Sequence, residues 1–239
     1  MNTIKIGENK AVKMIAHRGL SGIERENTIH SFVAACNRSY FGIECDIHVT
    51  ADNKYLVYHD DSTGRLCDQD LVMEENDFGT LRGLRIKGRD GDFGEALYMP
   101  TLEEFLAVLA RYEKTGVIEL KNAMDPENIR EVVNICRECY DLEKIVFISF
   151  IFENLVELRK LLPESRLQFL TCELAEELPG KLKEYRFDID VEFHQLCGEN
   201  VKLFHENGIL VNCWTCDDPG QAGQLIRWGV DFITTNILE

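Results

Sequence analysis

Gly42-Ile-Glu-Cys-Asp-Ile-His-Val-Thr-Ala-Asp-Asn-Lys-Tyr-Leu-Val-Tyr-His59 decides how the rest of the chain is read. Ile43, Cys45, Ile47 and Val49 are apolar, and Glu44, Asp46 and His48 alternate with them. A period of two marks a strand and puts Glu44 and Asp46 on one face. Ala51-Asp52-Asn53 carries turn chemistry, so 54–58 reads as a second short strand ending at His59. Two neighbouring carboxylates repel each other unless a cation lies between them, and a hard divalent ion with oxygen ligands supplies one. His59, close by, is suited to moving protons. The plainer alternative is an amphipathic hairpin whose polar face meets water. His48 shares the Glu44 face but falls past the expected strand end, as a solvated loop histidine.

Outward from this hairpin the chain alternates strand and helix. Residues 13–16 are short and mostly apolar, and they deliver His17-Arg18-Gly19 to the end of a buried strand. Ile29, Phe32, Val33 and Cys36 follow at helical spacing, with Asn27 or Thr28 as cap. Glycines and charges dominate 60–98, which reads as a long insertion over the site rather than part of a sheet. Thr101 with Glu104 is a capping box ahead of the stripe Leu102, Phe105, Leu106, Leu109. Residues 117–121 alternate again, so Glu119 and Lys121 share a face. Helices are expected at 126–140, 152–162, 174–185, 199–207 and 219–228, the last two closed by Gly208 and Gly229. Strands are expected at 145–150, 166–171, 188–191, 209–214 and 230–235. Eight strands joined by short helical connections point to an α/β fold, a (β/α)8 TIM barrel. The 1–239 chain is then one domain, with a small insertion of about 60–98 after the second strand. A doubly wound open sheet is the runner-up, weakened because no glycine-rich dinucleotide fingerprint follows any strand.

Composition narrows the function classes. The 239 residues are 45% hydrophobic and 28% charged, ordinary for a soluble globular protein. The N-terminus lacks an apolar run of signal-peptide length and no later run could span a bilayer, so a cytoplasmic protein is expected. Nine cysteines cannot all pair within the chain and suit a reducing compartment. Cys136/Cys139 and Cys213/Cys216 are Cys-x-x-Cys pairs, but one falls on a helix and the other at a late strand end, which argues against a shared zinc site. A net charge of −16, with no basic run, makes nucleic acid and anionic membrane poor partners. An anionic small-molecule substrate would need positive charge gathered locally by a metal or by clustered Lys and Arg.

In a barrel, functional groups sit at the C-terminal strand ends. Those ends carry His17 and Arg18, then Glu44 and Asp46, then His59, then Glu119 and Lys121. Oxygen donors favour Mg2+ or Ca2+ over zinc. Two imidazoles suit a phosphodiester, because one proton leaves the nucleophile and another reaches the leaving alkoxide.

His17-Arg18-Gly19, Glu26-Asn27-Thr28, Glu44-x-Asp46 with Thr50 and Asp52, and His59-Asp60 together resemble the glycerophosphodiester phosphodiesterase family. Pro100-Thr101-Leu102-Glu103-Glu104, Glu119-Leu120-Lys121, Ser149-Phe150, Val211-x-x-Trp214-Thr215, Gly229-Val230-Asp231 and Thr235-Asn236 extend the likeness over nearly the whole chain. The resemblance implies a metal-dependent barrel that cleaves glycerophosphodiesters to glycerol 3-phosphate and an alcohol. It implies His17 and His59 as the acid–base pair, and Glu44, Asp46 and Glu119 as ligands of one Ca2+ or Mg2+ ion. It further implies Arg18 and Lys121 at the phosphate, and Phe150 and Trp214 as walls of the glycerol pocket. The protein would act as a monomer or homodimer, without stable membrane association. Arg25, Phe232 and Ile237 depart from the family's usual Pro, Gly and Pro; the last two bear on the pocket edge. A phospholipase-D-type barrel acting on lysophospholipid or sphingomyelin is the nearest rival and would need an apolar lip. A barrel that binds phosphate without turnover is a third reading, and no catalytic group is missing as it would require.

Overall fold

The structure is a computed structural model and describes residues 2–7, 12–94 and 96–239. In chain order the elements are β1 (Lys13–Ala16), α1 (Ile29–Cys36), β2 (Gly42–Val49), β3 (Tyr55–Val57), α2 (Phe78–Arg82), α3 (Leu102–Tyr112) and β4 (Thr115–Leu120). They continue with α4 (Pro126–Cys139), β5 (Ile145–Ser149), α5 (Phe152–Leu161), β6 (Leu167–Thr171), α6 (Leu178–Tyr185) and β7 (Asp188–Glu192). α7 (Gly198–Glu206), β8 (Val211–Trp214), α8 (Pro219–Trp228) and β9 (Phe232–Thr235) complete the order. Every strand but β3 runs parallel to its neighbours. β1 pairs with β9 on one side, Ile15 opposite Thr234, and with β2 on the other, Ile15 opposite Gly42. That double pairing closes eight parallel strands into a cylinder, the (β/α)8 barrel expected from the alternation. β3 hangs antiparallel on β2 outside the ring.

Both faces of β2 are buried. Ile43, Cys45, Ile47 and Val49 point outward into the main core between strands and helices, beside Phe32, Phe105 and Leu109. Each such side chain contributes roughly 1.5–3 kcal/mol by leaving water. The polar face therefore looks into the barrel rather than into water. A second apolar cluster, Ile15, Val117, Val146, Ile148, Leu170 and Phe232, fills the lumen.

Local chemistry sets the helix ends. Thr28 caps α1, and Thr101 and Glu104 form the reciprocal box on α3. Asp218 caps α8 with Pro219 in its first turn, and Gly229 at φ +90° ends it. α6 is shorter than its pattern suggested: it starts at Leu178, one residue before Pro179, because proline belongs in a first turn and not in a helix interior.

The 60–98 segment carries a small core of its own. Leu66, Cys67, Met73, Leu81, Leu84, Ile86 and Leu97 pack, with the following Met99, on Leu56 and Tyr58 of the hairpin. Arginines tie it to the barrel loops, and one of them is Arg25, whose guanidinium donates to the carbonyls of Lys87 (2.7 Å) and Gly88. The residue that departs from the usual proline is thus a tether.

Two further expectations are corrected. His48 is not a loop histidine: β2 runs on to Val49, His48 pairs with Leu56, and the ring is buried 3.4 Å from the His59 carbonyl. Phe232 does not shape the pocket edge. It starts β9 at the opposite end of the barrel, against Phe41, with Lys13 and Arg166 over its ring. Ile237 is half-buried against the main core. Among the described residues, no helix is long and apolar enough to cross a membrane.

Candidate active site

The C-terminal strand ends gather the predicted groups at one mouth. His17 and Arg18 follow β1, Glu44 and Asp46 face inward from β2, His59 follows β3, and Glu119 and Lys121 come from the end of β4. His17, Arg18, Glu44, His59, Glu119 and Asp190 line a cavity of about 50 Å³. Ile148, Leu170 and Thr234 line it toward the lumen, and Phe150 and Trp214 stand beside it. The two aromatic rings meet edge to face, 5.6 Å between centroids, and Phe150 is 41% exposed. Size alone does not mark the site, since a hollow of about 680 Å³ opens beside Lys13, Met14 and Phe41 at the other end.

Glu44, Asp46 and Glu119 are all buried, and each offers an oxygen within 4.8 Å of the other two. It is the one such metal-capable group among the described residues, and it contains no cysteine. Burial and the neighbouring Asp46 raise Glu44 well above the usual carboxylate range and push Glu119 up to about 7. Burial acts on Asp46 in the same direction, but Lys121, Arg18 and a 2.7 Å bond from Asn27 Nδ2 outweigh it and hold Asp46 low. Lys121 Nζ lies 2.8 Å from Glu119 and 3.5 Å from Asp46, and Arg18 Nε lies 3.5 Å from Asp46. Two shared cations cannot ionise all three carboxyls at once, and burial together with the repulsion that remains raises Glu44 and Glu119. Close oxygen donors that need a further positive charge to ionise fit a hard divalent cation.

The approach to β2 is strained. Arg18 adopts φ +53°, which turns its amide onto Glu44 Oε2 at 2.6 Å. Gly19 follows at φ +73°, where any Cβ would collide with Ser31, including its backbone at 2.6 Å.

Each imidazole has one fixed nitrogen. His17 Nδ1 lies 2.8 Å from Asn236 Oδ1. Asn236 spends its Nδ2 on Asp217 at 2.6 Å, so Oδ1 is the acceptor and the His17 proton sits on Nδ1. Burial and Arg18 lower His17 to about 4, with Asp46 and Asn236 opposing. His59 Nδ1 donates to Asp60 at 2.7 Å. Burial, Arg18 and Lys121 lower His59, with Asp46 and Asp60 opposing. In both rings Nε2 remains for a reacting group.

Side chains behind these groups link them through the insertion. Arg65 donates to both Asp60 oxygens, at 2.5 and 3.1 Å, and to both Glu26 oxygens, at 2.9 and 2.8 Å. Glu26 also takes Arg18 at 2.8 Å. Asn236 had a legible signal, since it directly follows the last barrel strand. Glu26 and Asn27 lie in a recognised motif, whereas nothing in the sequence marked Arg65 or Asp190.

The chain matches the family model described as Glycerophosphoryl diester phosphodiesterase family over residues 17–239. It is 25% identical over 226 residues to a glycerophosphodiester phosphodiesterase of Caldanaerobacter subterraneus subsp. tengcongensis, covering 93% of each chain. A glycerophosphodiester phosphodiesterase of Bacillus altitudinis is 26% identical over 237 residues, with 94% of each covered. Among solved structures, a glycerophosphodiester phosphodiesterase from Parabacteroides distasonis superposes with a TM-score of 0.80 at 30% identity, covering 96% of this chain and 94% of that one. An Oleispira antarctica phosphodiesterase in complex with the product sn-glycerol-3-phosphate reaches 0.88 at 24% identity, covering 94% and 92%. With its barrel closed, its strand-end groups gathered at one mouth and the match running from His17 to Glu239, the chain is an enzyme of the glycerophosphoryl diester phosphodiesterase family.

Proposed function

We propose that the protein hydrolyses water-soluble glycerophosphodiesters to glycerol 3-phosphate and an alcohol, with His17 and His59 as the acid–base pair. The observation that carries this reading is the single cavity faced by two imidazoles with fixed tautomers and by two of three clustered carboxylates. The family and its relatives supply the substrate class.

Glu44, Asp46 and Glu119 would hold one Ca2+ or Mg2+ ion. When bound, such an ion supplies positive charge against the anion that builds up on the phosphoryl oxygens. Arg18 and Lys121 orient the phosphate from the same side. Phe150 and Trp214 hold the glycerol carbon chain between apolar faces. His17 is neutral at pH 7, so its Nε2 accepts the proton of the attacking hydroxyl. His59 Nε2 hands a proton to the leaving oxygen; burial, Arg18 and Lys121 lower its pKa, and the Asp46 and Asp60 carboxylates offset part of that cost of carrying the proton. One water is consumed per diester, and each role is worth about 10²–10⁴-fold in rate.

Selection against acyl chains is supported by the insertion. Of Leu66, Leu71, Val72, Met73, Phe78 and Leu81, only Val72 is exposed; the others are buried or half-buried on their own small core. The test measures glycerol 3-phosphate release from glycerophosphocholine and turnover of lysophosphatidylcholine side by side, with and without chelator. Glycerophosphocholine should turn over faster. Chelator should abolish activity and excess Mg2+ or Ca2+ restore it, and His17→Ala should lose about 10³-fold. Faster turnover of the lipid, or an active His17→Ala, overturns the reading.

A further inference from the structure

Polar side chains buried inside the barrel are of two kinds. Gln168, Asn212 and Thr234 satisfy one another: Asn212 Nδ2 donates to Gln168 Oε1 at 3.0 Å, and Thr234 Oγ1 donates to Asn212 Oδ1 at 3.3 Å. Asp190 sits opposite Asn212 across the β7–β8 ladder and takes no part in that network. It is 1% exposed, it lines the catalytic cavity, and its Oδ1 is buried with no hydrogen-bond partner. Its apolar neighbours in the cavity wall are Ile148 and Leu170. The site's two cations, Arg18 and Lys121, are engaged by Glu26, Asp46 and Glu119.

A carboxyl in this place is a poor choice for packing. An aliphatic side chain would fill the same space without a stranded oxygen. Its place is accounted for by a ligand that brings a hydrogen-bond donor into the cavity. The cavity has room for about four water-sized groups, which suits a small polyol and not an acyl chain. The Asp190 backbone carbonyl also accepts from Trp214 Nε1 at 3.2 Å, so residue 190 and the aromatic wall are fixed to one another.

We propose that Asp190 determines specificity for the polyol end of the substrate, its carboxyl hydrogen-bonding a hydroxyl of the glycerol moiety held beside Phe150 and Trp214. This assignment rests on the glycerophosphodiester reading given above.

Calorimetric titration of the Mg2+-saturated full chain tests it. The ligands are sn-glycerol 3-phosphate, the monophosphates of 1,2- and 1,3-propanediol, each lacking one hydroxyl, and inorganic phosphate. The unmodified protein should bind glycerol 3-phosphate about tenfold more tightly than at least one of the two diol phosphates. Asp190→Leu should reduce that preference to under about threefold while leaving phosphate and Mg2+ affinity within about twofold. Asp190→Asn, which keeps an acceptor, should retain most of it. Where Asp190→Leu does not fold, Asp190→Ala gives the same reading, and absence of any preference in the unmodified protein overturns the proposal without a variant. A preference that survives removal of the carboxyl also overturns it. So does a parallel loss of phosphate and Mg2+ affinity, which would place Asp190 behind the ion site. If glycerol 3-phosphate binds the unmodified protein no better than inorganic phosphate, the substrate reading itself has failed.

Discussion

The two imidazoles are held from behind by different oxygens, a neutral amide for His17 and a carboxylate for His59. Asn236→Ala removes the amide without touching any proposed ligand. Loss of ring orientation should lower kcat about 10- to 100-fold while KM moves less than about threefold and the melting temperature stays put; a KM-dominated effect would place Asn236 in binding. Glu26 gives a pH-dependent test. Burial would raise its pKa, but hydrogen bonds and charge from Arg65 and Arg18 lower it to about 2 in the folded state, against 4.5 for the free side chain. A depressed folded value means stability that is present above about pH 4.5 and lost as pH falls toward 2. Glu26→Gln should therefore cost about 2 kcal/mol near pH 7, roughly 4–8 °C of melting temperature, with the gap closing on acidification. A gap that stays constant from pH 7 to pH 3 would show that packing, not charge, holds the residue. The proposed ligands and imidazoles were legible because each lies at or near a strand end. Their pairings were not: Asn236 is marked by its place after the last strand, but it is 219 positions from His17, and Arg65 is 39 from Glu26, distances no local period encodes. His48 differs from its expected place because the β2–β3 pairing, which buries it opposite Leu56, joins two segments that alternation alone does not connect.

At the level of elements, periodicity served well wherever a helix or strand packs on the barrel. α3 is the clearest case, with stripe and reciprocal cap both visible in the sequence. Thr101→Ala should cost about 1 kcal/mol, or roughly 2–4 °C in a thermal melt, with kcat unchanged; a fall in kcat would mean the helix start bears on the site. The 60–98 segment was legible only as an interruption. Its core residues come singly or in pairs, Leu66-Cys67, Met73, Leu81, Leu84, Ile86, and no period of two or 3.6 joins them. What fixes the segment is instead guanidinium chemistry. Arg89 donates to the Ser21 and Gly22 carbonyls, Arg25 to Lys87 and Gly88, and Arg65 to Glu26 and Asp60. Such bonds couple the insertion to the β1–α1 loop that carries Arg18.

Taken whole, the molecule sets a strongly acidic exterior against a mouth built to receive a phosphodiester anion. At −16 the long-range field repels that anion, and Arg18, Lys121 and the proposed cation would reverse it locally. Raising salt from 20 to 150 mM shortens the Debye length from roughly 20 to 8 Å. kcat/KM for anionic glycerophosphoglycerol should therefore rise about twofold or more, while zwitterionic glycerophosphocholine changes little. A fall for both would give control of encounter to the local cations. The seam where β1 meets β9 has a further consequence. His17 follows β1, but the amide that aims its ring follows β9, on the other side of that seam. A refolding molecule with seven staves of the ring in place would hold nearly every reactive group and still turn over about 10- to 100-fold more slowly. The rise to full turnover would thus time the closing of that seam, making catalysis its own signal that the ring is complete.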